Sequence, residues 1–320
     1  MPVAAGSPAE LSSEHVTTRI ASLLWVKMLH EKDPLEMNKS MLSILPALLK
    51  TLSDPADEVV LVNLQILASI SLDKKQFLRV LNALVMLFLA DRSLLETRGA
   101  LVIRKLCVLL DSHSIYLSLA DILNDFHHIE FVSQMVQTLN LILLTAPELA
   151  SLRKSLKNCF DGNNVNKFLP KIGIEKNDKI ENSLSVEVEG KNNENESDVF
   201  VFTSLFKCWC NNPVATFSLC LLSQAYDLSS KLILKFADVD VTVGFLLQID
   251  KLVQLIESPI FIHLRLQLLE VSSRHHGDLL KSLYGLLMVS RCGAVLCSAM
   301  QCSVVLRSVV LSNAEYCSVV

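Results

Sequence analysis

Apolar residues recur at helical spacing between Glu14 and Asn158, and polar residues close each run; Val60, Leu64, Leu67 and Ser71 make one such face. A face of this kind has one buried side and one wet side, which is the mark of an amphipathic helix. A short polar residue precedes proline at Asp33-Pro34, Asp54-Pro55, Asn212-Pro213 and Ser258-Pro259. The side chain can accept from an orphan N–H of the first turn, and proline at the first helical position gives up an N–H that has no partner there anyway, so each pair predicts a helix start. Leucine-rich runs end at Asp54, Asp91 and Asp111 and predict helix ends. The first two aspartates stand 37 residues apart, within reach of the repeat length of HEAT and armadillo arrays. A single helix pair cannot hide both apolar faces, whereas stacked pairs can, and the stack then offers an extended surface to other proteins. The expectation is an all-α, HEAT/armadillo-like α-solenoid of stacked antiparallel helix pairs.

The pattern breaks at residues 161–197, where Asn, Lys, Glu and Asp accumulate with Gly162, Gly173 and Gly190; this predicts a disordered acidic and Asn-rich insertion. Helical spacing returns with Phe245, Ile249, Leu252, Val253 and Ile256, while Gln248, Asp250, Lys251 and Gln254 lie opposite. The expected organisation is a disordered N-terminus over 1–13, helical repeats over 14–160, the insertion over 161–197, a C-terminal helical region over 198–289, and a poorly ordered Val/Cys/Ser-rich tail over 290–320. Cys292 to Leu311 has the length of a membrane span, but Gln301 and Arg307 sit inside it, and a central arginine costs roughly 2.5–3.5 kcal/mol on insertion scales. An extension that does not span is the preferred reading.

Composition agrees with a large buried core, with 51% hydrophobic residues, nine Gly and nine Pro and a mean hydropathy of +0.42. Against 33 acidic residues the 29 Lys and Arg leave a net charge of −4, so nucleic acid is not an expected partner. Nine cysteines, an odd number, fall partly in apolar helical runs and suggest a reducing, cytosolic compartment. Met1 to Ser13 lacks the charged and apolar regions of a secretory signal.

Candidate chemistry is sparse. Cys208-Trp209-Cys210 with Cys220 is the nearest approach to a metal site, but residues two apart on a helix point in different directions, so packed thiols are expected and no metal. The pairs His127-His128 and His275-His276 do not place two imidazoles on one helical face, and solvated helix ends are the better reading. No phosphate-binding glycine pattern or nucleophile elbow is present. Asp57-Glu58 follows Pro55 and complements the helix dipole. No catalytic residue, cofactor or enzymatic activity is expected.

The stretch Leu94-Leu95-Glu96-Thr97-Arg98-Gly99 running into Ile103-Arg104-Lys105-Leu106-Cys107 resembles the scaffold family variously called ArPIKfyve or the vacuole-morphology regulators. Further matching segments are Ser118 to Leu123, Cys208 to Val214 with Ser218-Leu219-Cys220, Ala225 to Leu228, Asp250 to Phe261, Leu264 to Leu269 and Lys281 to Met288. The resemblance covers roughly Thr17 to Met288 and corresponds to the C-terminal half of family members. It implies a HEAT-type, non-catalytic scaffold of the complex that makes and turns over phosphatidylinositol 3,5-bisphosphate. Such a scaffold binds a Sac-domain phosphoinositide phosphatase and a PIKfyve-type lipid kinase, self-associates, and lies peripherally on endosome and vacuole or lysosome membranes. Partner contacts are then expected at Trp209, Asn212, Asp250, Lys251, Gln254, Arg265 and Tyr284, with Trp209 and Tyr284 as aromatic anchors; the alternative for those two is packing between helices. Met1 to Ser13 leads almost directly into the matching part, so the family's N-terminal solenoid is not expected here. Ser290-Arg291-Cys292 opens a tail unlike the family's continuation. An unrelated HEAT or armadillo adaptor for transport or phosphatase regulation is the competing reading.

Overall fold

A computed structural model of the 320-residue chain describes residues 10–160, 193–236 and 242–296, and among these every regular element is a helix. The described residues fall into two compact units, 10–131 with 146–149, and 132–145 with the described residues from 150 onward.

In the first unit the helices are α1 (Val16–Lys32), α2 (Pro34–Lys50), α3 (Asp57–Ile70), α4 (Lys74–Ala90), α5 (Ala100–Leu109) and α6 (Ser112–Asn124). A helical turn, Arg92–Leu94, and a π-helical stretch, Leu95–Gly99, lead into α5. Contacts run from each helix to the next but one: α1 to α3 to α5 in one layer, α2 to α4 to α6 in the other. Sequence neighbours α1 and α2, α3 and α4, and α5 and α6 touch across the layers. This two-layer stacking of helix pairs is the arrangement the repeat spacing predicts. The stripe Val60, Leu64, Leu67 and Ser71 is buried, as are Leu81, Leu84, Val85 and Phe88 of α4, the helix paired with it.

Helix starts obey the predicted chemistry in part. Pro34 opens α2, and Asn212 caps its helix by accepting from the Ala215 N–H at 3.0 Å with Pro213 in the first turn. Asp54-Pro55 does not open α3. That helix starts two residues later with Ala56 in the capping position, and Asp54 accepts from the Ala56 N–H at 2.8 Å while pairing with Arg19. Ser258 makes no capping bond; Pro259 opens a 3-10 turn, Pro259–Phe261, that runs into a helix at Ile262. Asp91 and Asp111, expected only as helix ends, each also open the next helical segment, accepting from Leu94 N–H at 3.0 Å and Ser114 N–H at 2.9 Å.

The second unit holds most of α7 (Ile129–Thr145), then α8 (Ala150–Asn158), α9 (Asn193–Trp209), α10 (Pro213–Leu222), α11 (Tyr226–Lys235), α12 (Val243–Ile256), α13 (Ile262–Leu269) and α14 (His276–Leu296). Every residue of α10 from Val214 to Leu222 is buried, as befits a helix that is apolar all round. It is the central rod, packed by α9, α11 and α12. The most extensive pairing is α11 on α14, where Ser229 and Ser282 share a 2.7 Å hydroxyl hydrogen bond. There Gly285 allows close approach, since a Cβ on it would lie 2.6 Å from Ile233 Cγ1.

Two boundaries differ from expectation. α9 begins at Asn193, inside the stretch assigned to the insertion, because residues 193–197 continue the insertion's polar composition and hide the helix start. α14 runs to Leu296, into the stretch assigned to the tail. The bulk of the insertion and of the tail, with most of the Cys292 to Leu311 window, lies outside the described residues. No single helix among the described residues is long and apolar enough to cross a membrane.

Candidate functional site

The site is built where α9 hands over to the central helix α10. Trp209, the last residue of α9, is fully buried, and its Nε1–H donates to Asn140 Oδ1 on α7 at 3.2 Å. Ser218 Oγ of α10 donates to the same oxygen at 2.9 Å. Three residues on, Asn212 is also buried; besides capping α10 it donates through Nδ2 to Ser133 Oγ on α7 at 3.2 Å and to Gln248 Oε1 on α12 at 3.0 Å. These bonds fix α7, α10 and α12 to one another, and a buried network of side-chain hydrogen bonds favours a single arrangement of its helices.

Above this network, α7 and α12 form the walls of a groove of about 440 Å³ with the start of α10 between them. Gln137, Leu141 and Leu144 stand on one side and Gly244, Leu247, Lys251 and Leu255 on the other, with Val214 and Ala215 as floor. Leu141 and Leu247 are 38% and 51% exposed. Among the described lining residues there is no carboxylate, and Lys251 is the cation.

A second apolar surface lies on α13. Ile262, Leu266 and Leu269 are exposed at i, i+4 and i+7, one face of the helix. Polar bonds mount this helix on the unit: Arg265 Nη1 donates to Glu257 O at 2.6 Å, Lys157 Nζ to Ile260 O at 2.7 Å, and Gln267 Nε2 to Gln224 Oε1 at 2.6 Å. The Tyr226 hydroxyl donates to Gln267 Oε1, and Gln224 Nε2 donates to Lys157 O at 3.1 Å. Gln224 holds a φ of 63°, a conformation that costs a non-glycine residue energy and is kept here by its two side-chain bonds. Beside it, burial and then the Lys157 charge push His263 down to about 4, so the imidazole is neutral near pH 7.

The residues expected to contact partners divide into three groups. Asn212 and Lys251 belong to the groove. Asp250 and Gln254 bond to each other on the outer side of α12 at 2.8 Å, Arg265 serves the α13 mount, and Tyr284 is 41% exposed on α14. Trp209 takes the alternative place given to it, between helices, with its indole enclosed and its N–H bonded to an acceptor. Leu141, Leu247 and Gly244 were missed, although Leu247 carried a signal, being a leucine outside the Phe245 to Ile256 stripe.

Burial pushes Cys107 and Cys159 up to about 12 and raises Cys220 well above its ordinary value, so these thiols stay protonated near neutral pH. Cys208 is buried and Cys210 exposed, as their helical spacing requires. No group of three or more metal-ligating side chains converges among the described residues.

Residues 92–170 and 180–294 match a family model described as vacuolar protein 14 C-terminal Fig4p binding. A curated Arabidopsis thaliana protein, "Protein VAC14 homolog", is 43% identical over 280 residues, covering 88% of this chain and 33% of that protein. Its Schizosaccharomyces pombe namesake is 38% identical over 281 residues, covering 87% and 30%. The "Vacuole morphology and inheritance protein 14" of Saccharomyces cerevisiae is 30% identical over 290 residues, covering 90% and 28%. The chain thus spans about a third of the length of the curated relatives it matches. No solved structure matches it at a significant level.

Proposed function

The chain belongs to the vacuolar protein 14 family, and on that premise we propose that it is a non-catalytic scaffold segment that holds a Sac-domain phosphoinositide phosphatase within the phosphatidylinositol 3,5-bisphosphate complex. The observation that carries this reading is the match of a partner-binding family model to 92–170 and 180–294, which takes in nearly all of the described second unit. A stack of helix pairs suits the task because its inward side chains are committed to packing while its outer faces stay open to partners. Binding of a PIKfyve-type kinase, self-association, and peripheral residence on endosome and vacuole or lysosome membranes belong to the same reading. Bringing an antagonistic kinase and phosphatase onto one platform makes their encounter nearly intramolecular, and the gain is effective concentration without chemistry by the scaffold.

The test is co-expression of the full chain with the phosphatase followed by affinity purification and gel filtration. Co-elution as a stable complex is expected. Separate elution of the two proteins under gentle lysis would remove the basis of the reading, as would turnover of a phosphoinositide by the purified chain alone.

A further inference from the structure

We infer that the groove between α7 and α12 receives an amphipathic helix of the phosphatase, with aliphatic side chains toward Leu141 and Leu247 and a carboxylate toward Lys251. The inference rests on the phosphatase-binding reading and names the surface that performs it.

The groove's length comes from its walls. Gln137 to Leu144 on α7 covers two helical turns, about 10 Å, and Gly244 to Leu255 on α12 covers three, about 16 Å, at 1.5 Å per residue. A helix of two to three turns fits along it.

The polar groups at its base decide what kind of segment can bind. An extended peptide needs donors and acceptors from the wall to satisfy its backbone. The amide of Asn212 is already bonded to Ser133, Gln248 and the Ala215 N–H, and the carbonyl oxygen of Asn140 to Trp209 and Ser218. What remains accessible is chiefly aliphatic, and a helix, which bonds its own backbone, is the segment that can enter such a surface. Lys251 on the rim is exposed, and none of the described lining residues is an acid, so charge complementarity calls for a carboxylate on the incoming helix. Every lining residue lies within the stretches matched by the partner-binding family model.

Gly244 supplies a clean way to close the groove. A Cβ built there meets only Thr242 Oγ1, at 3.9 Å, so a larger side chain enters open space rather than the core. Purified full-length chain and phosphatase are titrated by calorimetry, with Gly244→Leu, Leu247→Asp and Lys251→Glu compared with wild type and with Leu266→Asp on the α13 stripe. The expected result is binding by wild type and Leu266→Asp, at least tenfold weaker binding by the three groove variants, and helical circular dichroism and melting preserved in all. Wild-type affinity in the groove variants would overturn the groove assignment and leave the phosphatase reading standing. Loss of binding in Leu266→Asp alone would move the interface to α13 and overturn the assignment as well. Absence of binding by wild type itself would sink both.

Discussion

Arg19 and Asp54, 35 residues apart, form a two-point ion pair inside the first unit, with Nε to Oδ2 at 2.6 Å and Nη2 donating to Oδ1 at 2.9 Å. Their side chains are 9% and 7% exposed, and Nη1 of the same guanidinium donates to Ser13 O at 2.7 Å and Glu14 O at 3.0 Å. One side chain of α1 therefore ties down both the stretch before it and the link from α2 to α3. Asp54→Ala strands a buried cation and should cost about 3–5 kcal/mol, whereas Arg19→Met with Asp54→Leu should recover most of that loss. Urea denaturation measures both; a loss under ~1 kcal/mol for Asp54→Ala would mean the pair behaves like a surface one.

At the α11 and α14 crossing, Gly285→Ala gains roughly 1 kcal/mol of helix propensity but sets a methyl 2.6 Å from Ile233 Cγ1 and 3.1 Å from Cγ2. Overpacking of this kind costs about 1–3 kcal/mol, so a net fall in melting temperature is expected. Adding Ile233→Ala opens the space, and the pair of changes should be less destabilising than the sum of the single ones. Additive effects would show that the helices do not meet there.

His263 sets a pH dependence of known sign. Its folded value of about 4 lies below the ordinary 6.5, so between these limits the unfolded chain binds a proton that the folded chain does not. Stability is full above pH 6.5 and declines as pH falls toward 4, by up to roughly 3 kcal/mol from this group. Stability curves of wild type and His263→Gln should diverge over that window. Parallel curves would contradict the buried, neutral imidazole.

Asn140→Leu removes the acceptor that Trp209 Nε1 and Ser218 Oγ share. Ser218 Oγ can still donate to Ala215 O at 2.8 Å, so the cost falls on the loss of the indole's bond to the amide, about 1–3 kcal/mol for a buried donor. The chain has two tryptophans, and Trp25 is 58% exposed. In a Trp25→Phe background the emission of Trp209 alone then reports both the unfolding midpoint, expected to fall, and the altered indole environment. An unchanged midpoint would mean that water or another group replaces the amide.

The helix faces were legible because a 3.6-residue period needs no knowledge of the partner: Val60, Leu64 and Leu67, and Phe245, Ile249 and Leu252, are buried in the places their spacing implies. What could not be read depended on residues far away in the chain. Asp54 looked like a cap by the same local rule that holds at Asp91, but a cation 35 positions earlier competes for it. Trp209 has the residue type of an anchor, and only the acceptor on α7, 69 positions earlier, fixes it in the core. The groove is hidden for the same reason. Leu141 and Leu247 carry no common pattern until the fold sets α7 beside α12.

Asp91 closes α4 through its backbone N–H, bonded to Leu87 O at 2.8 Å, and opens the next helical turn through its carboxylate. Asp33 likewise is the sole residue between α1 and α2. Joints of a single residue hold no slack. A residue lost at either would have to come out of a neighbouring helix, where each position carries about 100° of turn, and the apolar stripe next to the joint would shift out of register.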